Sequence, residues 1–191
     1  MENNFSPQQS LDLIQEMISK TKANLGENSI YFLLWGWVTF LAIIGQFFLK
    51  VVLRNEHHYL VWLLTIPTAI ITIIYSARRH NKHKVKTYIG ESMSYLWTGI
   101  GISFFILSMI ISNSSGGWAN AWPFFILMYG LGTFVSGMIL KFRPLVIGGV
   151  ISWVLSLVSV FVAFDYQLLL AAAAILSSYI IPGHLLRSNN K

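Results

Sequence analysis

Long apolar runs separated by short polar segments dominate this chain from residue 29 onward. A helix needs roughly 20 residues to cross about 30 Å of hydrocarbon, because each residue adds about 1.5 Å. Runs of that length, almost free of formal charge, cover residues 29–49, 59–77, 92–112, 121–140, 145–163 and 167–185. The pattern therefore predicts an all-α fold, a polytopic membrane helix bundle with six transmembrane helices.

The first 28 residues follow a different pattern. Over residues 7–25, apolar side chains recur at spacings of three and four, which is typical of one face of an amphipathic helix. Surface-lying membrane helices are usually rich in Lys and Arg on the polar face, but this segment is not basic. We therefore predict a cytoplasmic helix that packs against protein, either over the inner ends of the bundle or as a docking element for a protein partner.

The basic residues predict the orientation of the spans. With the N-terminus inside, all but two of the 13 lysines and arginines fall on the cytoplasmic side, and only Lys50 and Arg54 fall outside. Cationic loops resist translocation, so both termini are predicted to be cytoplasmic. The chain then divides into a cytoplasmic segment over 1–28, a transmembrane domain over 29–186 and a cytoplasmic tail over 187–191.

Composition supports a membrane environment. Of the 191 residues, 55% are hydrophobic and only 10% are charged, with a mean hydropathy of +0.62. Soluble domains carry about 25% charged residues. The composition therefore excludes an ordinary soluble domain and a disordered chain, and the absence of cysteine excludes a disulfide scaffold.

The densest basic run, residues 78–86, directly follows the second span. Its charge is expected to keep the loop in the cytoplasm and to attract anionic lipid headgroups. Nucleic-acid binding is not expected, and cationic neighbours disfavour a metal site at His80 and His83. The candidate headgroup contacts are Arg78, Arg79, Lys82, Lys84 and Lys86.

Small residues, rather than ionisable ones, occupy the middle of the spans. Coupled transporters usually carry intramembrane charges, and this chain has none there. Small residues spaced four apart let helix backbones approach closely in lipid, which predicts a tight bundle of spans three to six. Alternatively, some stripes line a passage or form the face of a homodimer. The stripes are Gly132/Ser136, Gly148/Ser152/Ser156 and Ala174/Ser178.

Four residues inside the spans are candidate cavity or packing residues: Trp35, Trp37, Pro67 and Trp153. Indoles at this depth either line a cavity or pack with an internal hydrogen-bond partner. Pro67 is expected to kink the second span, because proline has no N–H to donate.

Local residue chemistry predicts how three spans begin. Pro123 and Pro144 each fall in a first helical turn, where a missing N–H costs nothing. Asp165 lies in a short turn and is predicted to cap the sixth helix. Pro182, followed by Gly183, is expected to end or kink that same helix.

One internal similarity connects the first and fourth spans. Residues 35–40 read WGxxTF and residues 129–134 read YGxxTF. The two spans run in opposite directions, so the match fits an inverted repeat of three plus three helices, as in many transporters. A chance match within an apolar alphabet is the other interpretation.

Catalytic motifs are missing. The chain has no P-loop, no HExxH and no cysteine nucleophile, so no enzyme activity, cofactor or metal is expected. Ser136 and His184 resemble the serine–histidine dyad of rhomboid intramembrane proteases in placement. The glycine two residues before the serine is replaced by Phe134, and the glycines that follow the histidine are missing.

Several blocks resemble small bacterial six-span membrane proteins to which no activity is assigned. They are YFLLWGW (31–37), WPFF (122–125), YGLGTF (129–134), LKFRP (140–144) and SYIIPGH (178–184). The resemblance implies a six-span fold and a bacterial plasma (inner) membrane, and it supplies no site residues.

The function expected from these observations is that of a non-enzymatic accessory or regulatory membrane subunit that acts through protein partners. The alternative is a small permease or exporter for an apolar or cationic aromatic solute. A permease predicts a cavity at membrane depth lined by both halves of the chain, whereas an accessory subunit predicts a filled interior and an apolar surface for partners.

Overall fold

The computed structural model describes Gln8, residues 29–80 and residues 88–188, with the side chains of residues 79 and 80 left aside. Within these ranges the chain is helical and has no strand, which confirms the all-α prediction. The predicted N-terminal helix over 7–25 lies outside the described residues apart from Gln8.

Six apolar helices make up the described fold. Five of them have the length and apolarity to cross a membrane, and α5, with 17 residues, is slightly shorter. The chain is therefore a multi-pass helical membrane protein by length and composition. The helices are α1, Ser29–Val52; α2, the 3-10 turns His58–Leu64 continued by Thr65–His80; α3, Tyr88–Asn113; α4, Trp122–Ile139; α5, Arg143–Ser159; and α6, Phe164–Ser188.

The helices run up and down, so their connections gather at two ends. The ion pair between Lys50 and Asp165 brings the end of α1 to the start of α6. We call this the Lys50 end, and it holds the connections 53–57, 114–121 and 160–163. The opposite side is the Lys141 end, where residues 140–142 join α4 to α5.

The starts of two helices agree with the prediction from the sequence, and the start of a third does not. Pro123 and Pro144 lie in the first turns of α4 and α5, which confirms that prediction. The capping role of Asp165 is wrong. Ala163 precedes α6 in an extended conformation with no side-chain cap, and Asp165 lies within the first turn. Its carboxylate is 2.5 Å from the ammonium of Lys50. The positive end of the helix dipole also stabilises a negative charge at this position.

Helices α4 and α5 pack extensively against each other. A Cβ on Gly130 would lie 2.6 Å from Cδ1 of Trp153, and one on Gly149 would lie 2.8 Å from the backbone nitrogen of Phe134. Only a hydrogen fits at either position. This close backbone approach is the packing mode that lipid-embedded helices use.

Helix α6 lies between α5 and α1. A Cβ on Gly148 would lie 2.6 Å from the carbonyl oxygen of Ser177, and one on Gly36 would lie 2.9 Å from Cβ of Tyr179. The most apolar window of α6 is 56% buried and that of α1 is 33% buried, against 11% for α3 and 6% for α2. The predicted bundle of spans three to six is thus seen in α4, α5 and α6, α3 packs against α4 with Trp97 against Gly132, and α1 joins the bundle through α6.

A π-helical turn interrupts α6 at Leu176–Ile180, just before Pro182. Proline cannot donate to the regular ladder, and the wider turn accommodates that gap. The helix continues to Ser188 rather than ending at Pro182. Leu186, beyond the turn, is fully buried.

Candidate functional site

The two tryptophans of α1 have different surroundings. Trp35 Nε1 donates a hydrogen bond to Thr72 Oγ1 of α2 at 3.1 Å. Trp37 is 44% exposed, with its ring edge toward the ring of His184 at 6.5 Å. Trp35 therefore joins two helices, and Trp37 lies on the outer surface of the bundle.

The side chain of Trp153 occupies the space that Gly130 leaves open on α4. Its ring lies against Gly130 and is tilted against Phe134, with the ring centroids 4.9 Å apart. Its indole nitrogen is buried without a hydrogen-bond partner. The indole thus packs between α4 and α5.

Pro67 lies on the exposed side of α2, just after the change from 3-10 to α geometry. Thr65 Oγ1 donates to the carbonyl of Trp62 at 2.6 Å, and Thr68 Oγ1 donates to that of Leu64 at 2.8 Å. The threonine hydroxyls supply donors in the turn where proline has none.

The predicted headgroup residues fall mostly beyond the described part of the chain. Arg78 is exposed on the last turns of α2. The negative end of the helix dipole stabilises a cation there. The side chain of Arg79 and all of Lys82, Lys84 and Lys86 lie outside the described residues.

Aromatic rings from four helices fill the middle of the bundle. Tyr179 of α6 has ring centroids within 6 Å on three sides: Phe32 of α1 at 5.6 Å, Trp97 of α3 at 5.9 Å and Tyr129 of α4 at 5.7 Å. Tyr129 in turn lies 4.9 Å from Phe104. We call these five rings the central aromatic cluster. Edge-on contacts of this kind leave no space for a solute between the rings.

A chain of polar side chains connects α1 and α2 at the Lys50 end. Trp62 Nε1 donates to Gln46 Oε1 at 2.8 Å, and Gln46 Nε2 lies 3.2 Å from His58 Nδ1. One helical turn after Gln46, Lys50 pairs with Asp165 of α6. We call the first three residues the Trp62–Gln46–His58 chain.

Lys50 makes a second contact besides its ion pair. Its ammonium lies 3.9 Å from the ring centroid of Phe164, within the range of a cation–π interaction. Both members of the pair with Asp165 remain partly exposed, at 32% and 45% of their side chains. This contact joins the ends of α1 and α6 where solvent still reaches it.

Buried polar atoms without a hydrogen-bond partner are concentrated in α4, α5 and α6. Such atoms carry the full desolvation cost of their group. Among the described residues they are Ser136 Oγ, Ser152 Oγ, Trp153 Nε1, Gln167 Oε1 and the Tyr179 hydroxyl.

A surface groove of about 300 Å³ runs between α3 and α4. The hydroxyl of Ser103, which lines the groove, donates to the carbonyl of Gly99 at 2.9 Å. The other lining residues are Ile106, Leu107, Ile110, Phe124, Leu127 and Met128. The groove therefore presents an apolar surface to whatever surrounds the bundle.

The two matching segments occupy different environments. Gly36 faces Tyr179 of α6, whereas its counterpart Gly130 faces Trp153 of α5. Thr133 bonds within its own helix, to the carbonyl of Tyr129 at 2.9 Å. The residues shared by residues 35–40 and 129–134 therefore do not make equivalent contacts.

No catalytic arrangement connects Ser136 and His184. Ser136 is fully buried and its hydroxyl has no partner. His184 is exposed on α6, beside Trp37. Within the described ranges, no group of three or more His, Asp or Glu side chains is placed to hold a metal ion.

Sequence reasoning missed the Trp62–Gln46–His58 chain as a unit. Its signal was an amide inside an apolar run, at Gln46, one helical turn before Lys50. The spacing places both on one face of α1, and a buried amide requires partners. Neither observation identifies His58 or Trp62 as those partners.

Comparisons with protein-family models, with characterised proteins and with solved structures find no match to this chain.

Proposed function

We propose that this protein is a non-enzymatic accessory or regulatory subunit that acts in the membrane through contacts with protein partners. The observation that carries the proposal is the filled centre of the bundle. The central aromatic cluster occupies the space between α1, α3, α4 and α6. Next to it, the Gly130 and Gly149 contacts bring α4 and α5 together without a gap.

The proposed topology has six spans, with both termini in the cytoplasm of a bacterial plasma membrane. The 17 residues of α5 reach the lower end of the range for a spanning helix. The Lys141 end would face the cytoplasm, because Lys141, Arg143 and Arg187 lie there. A reporter fused to Lys191 tests this orientation, and activity on the far side would contradict it.

The surface proposed for partners includes α3. This helix carries Gly99 and Gly101 on two exposed sides, and a Cβ on either would have no heavy atom within 4 Å among the described residues. Glycine is a poor helix former, and in lipid it is favoured where another helix approaches. Among the residues that the structure describes, no helix approaches either glycine, which supports an approach from another chain. The segment 7–25 is the second proposed contact.

The permease alternative needs a pathway lined by both halves of the chain. Tyr179 and Trp97, from the third helix of each half, are instead in ring contact with each other. A permease would therefore require these rings to separate during transport.

Affinity purification in mild detergent tests the proposal. The wild type is expected to retain a membrane protein at stoichiometric yield. Gly101→Leu adds bulk to the α3 face without an internal clash, and it is expected to lose that protein. Val154→Phe adds bulk to the outward face of α5, where Val154 is 54% exposed, and serves as the matched control.

Thermal melting must show that both variants stay folded. Retention of the co-purifying protein by Gly101→Leu would contradict the assigned surface. Solute uptake by vesicles that contain only the purified wild type would contradict the accessory role itself.

A further inference from the structure

The hydrogen bonds of the Trp62–Gln46–His58 chain can run in one direction only. An indole N–H donates and cannot accept. The Gln46 atom 2.8 Å from Trp62 Nε1 is therefore the amide oxygen. This orients the amide NH2 toward His58 Nδ1, at 3.2 Å.

The direction of the chain determines the protonation state of His58. An amide NH2 has no acceptor, so Nδ1 of His58 must carry the lone pair. The histidine is then neutral, with its proton on Nε2. A protonated imidazole donates from both nitrogens, and its Nδ1–H would meet the amide NH2 donor to donor.

Burial of Gln46 limits the ways in which this conflict can be relieved. The residue is only 5% exposed, so its amide has little access to solvent. If the amide turned over to accept from His58, Trp62 Nε1 would face an NH2 group and lose its acceptor. If His58 moved away, the amide NH2 would lose its acceptor. Either outcome breaks one of the two bonds.

We propose that the Trp62–Gln46–His58 chain is a proton-sensitive latch, and that uptake of a proton by His58 releases the first turns of α2 from α1. This device goes beyond the proposed accessory function and does not depend on it.

Weak packing of α2 makes the latch mechanically important. The most apolar window of α2 is only 6% buried, so apolar contacts hold this helix weakly. Farther along α2, the bond from Trp35 to Thr72 provides a second attachment. Loss of the latch therefore frees the Lys50 end of α2, while Trp35 keeps the later turns in place.

Charged groups from three elements surround His58. Burial opposes protonation of His58 most, Lys50 of α1 opposes it further, and Asp165 of α6 favours it. Tyr59 presents its ring edge to His58 at 6.1 Å. The preceding loop carries Arg54, Glu56 and His57, and these remain exposed to solvent.

A distance measurement between α1 and α2 tests the latch. The chain has no cysteine, so spin labels attach only where cysteines are introduced. Leu41→Cys on α1 and Leu63→Cys on α2 are outward positions, 59% and 58% exposed. In lipid nanodiscs, the label-to-label distance distribution is expected to be narrow at pH 8. At pH 5 it should be longer and broader.

Three variants in this labelled background identify the cause. His58→Asn keeps an acceptor oxygen near the position of Nδ1 but cannot take up a proton, so its distribution should not change with pH. Trp62→Phe removes the donor that holds the amide, which can then turn and accept from protonated His58. Its distribution should also be independent of pH. His57→Asn is the neighbouring control and should keep the full transition.

The latch is overturned if the labelled wild type shows no change between pH 8 and pH 5. It is equally overturned if the change persists in His58→Asn or in Trp62→Phe. His58 and Trp62 stand at opposite ends of the Trp62–Gln46–His58 chain. If one of the two variants does not fold, the other still tests the latch.

Discussion

The α4–α5 pair and the α2–α3 segment have similarly apolar sequences but bury very different shares of their surface. In the α4–α5 pair, Gly130 and Gly149 admit only a hydrogen, because the partner helix lies against them. On α3, Gly99 and Gly101 face open space. Helices α2 and α3 follow each other in sequence, yet they are not among the extensively packed pairs.

This difference shows that a small-residue stripe does not identify its own partner. In lipid, the apolar side chains of a helix gain little by leaving the hydrocarbon, so close backbone contact and hydrogen bonds decide which helices associate. Helices α4, α5 and α6 have such contacts within the chain. Helices α2 and α3 expose most of their side chains, and their surfaces are available to lipid or to other chains.

Steric tests of the two glycine sets should give the largest difference. Gly149→Leu forces a side chain into backbone atoms of Phe134, because even a Cβ would lie 2.8 Å from its nitrogen. Overpacking of this kind costs about 1–3 kcal/mol, and more where the backbone must shift. Gly99→Leu has open space and gains up to about 1 kcal/mol of helix propensity. Thermal melting in detergent should show a strongly lowered midpoint for Gly149→Leu and an unchanged or raised midpoint for Gly99→Leu. Equal destabilisation by both would contradict the contrast between the two regions.

Removing a serine hydroxyl from α5 or from α3 should change the stability less than the glycine substitutions do, and the two helices should again differ. Ser156 Oγ of α5 donates to the carbonyl of Pro123 in α4 at 2.7 Å, in a buried position. Ser156→Ala should lower the free energy of unfolding by about 1 kcal/mol, because the carbonyl loses a bond between helices. Ser103 bonds only within α3, so Ser103→Ala should be close to neutral. Reversible unfolding in mixed micelles measures both, and a larger loss for Ser103→Ala would reverse the assignment.

Indole substitutions on α1 test how α2 is held. Trp35→Phe removes the donor to Thr72 and should weaken the attachment of α2 by about 1 kcal/mol or less. Hydrogen exchange of α2 amides should become faster, while exchange in α5 stays unchanged. Trp37→Phe is the matched control, since Trp37 is 44% exposed. Faster exchange in that control would indicate that α2 depends on something other than the Trp35 bond.

Removal of the Lys50–Asp165 ion pair should have the smallest effect. Both side chains are partly exposed, at 32% and 45%, and solvent-screened pairs contribute about 0–1 kcal/mol. Lys50→Met should therefore lower the melting midpoint only slightly, and the difference from wild type should shrink in high salt. Arg54→Met, in the neighbouring loop, is the control. A large effect that is independent of salt would show that the cation–π contact with Phe164 matters more than the ion pair.

The span pattern and the helix starts could be predicted because they depend on local sequence. Apolar runs and first-turn prolines such as Pro123 carry their own signal. The role of Asp165 could not be predicted, because its partner Lys50 is 115 positions away along the chain. The close packing of α1 against α6 could not be predicted for the same reason. Both helices carry small residues, and only the tertiary fold brings Gly36 against Tyr179.

The sequence predicted several residues of the candidate site but not the contacts between them. The sequence indicates that Trp35 and Trp153 lie at membrane depth, but the neighbours that distinguish packing from a cavity are on other helices. The Trp62–Gln46–His58 chain depends on three side chains from two helices, and its direction becomes evident only from the atoms that face each other.

The π-helical turn at Leu176–Ile180 lets α6 hold one residue more than a regular helix of the same course. A π-turn takes up one residue more than an α-turn, so the helix after it keeps the rotation that a regular α-helix would have. Deleting one residue from this segment would therefore restore a regular α-helix with Leu186 still buried, whereas deleting one residue elsewhere before Leu186 in α6 would rotate it by about 100° away from its present side. Homologous chains that keep this packing should tolerate a one-residue deletion within the turn but not in the regular part of the helix before Leu186.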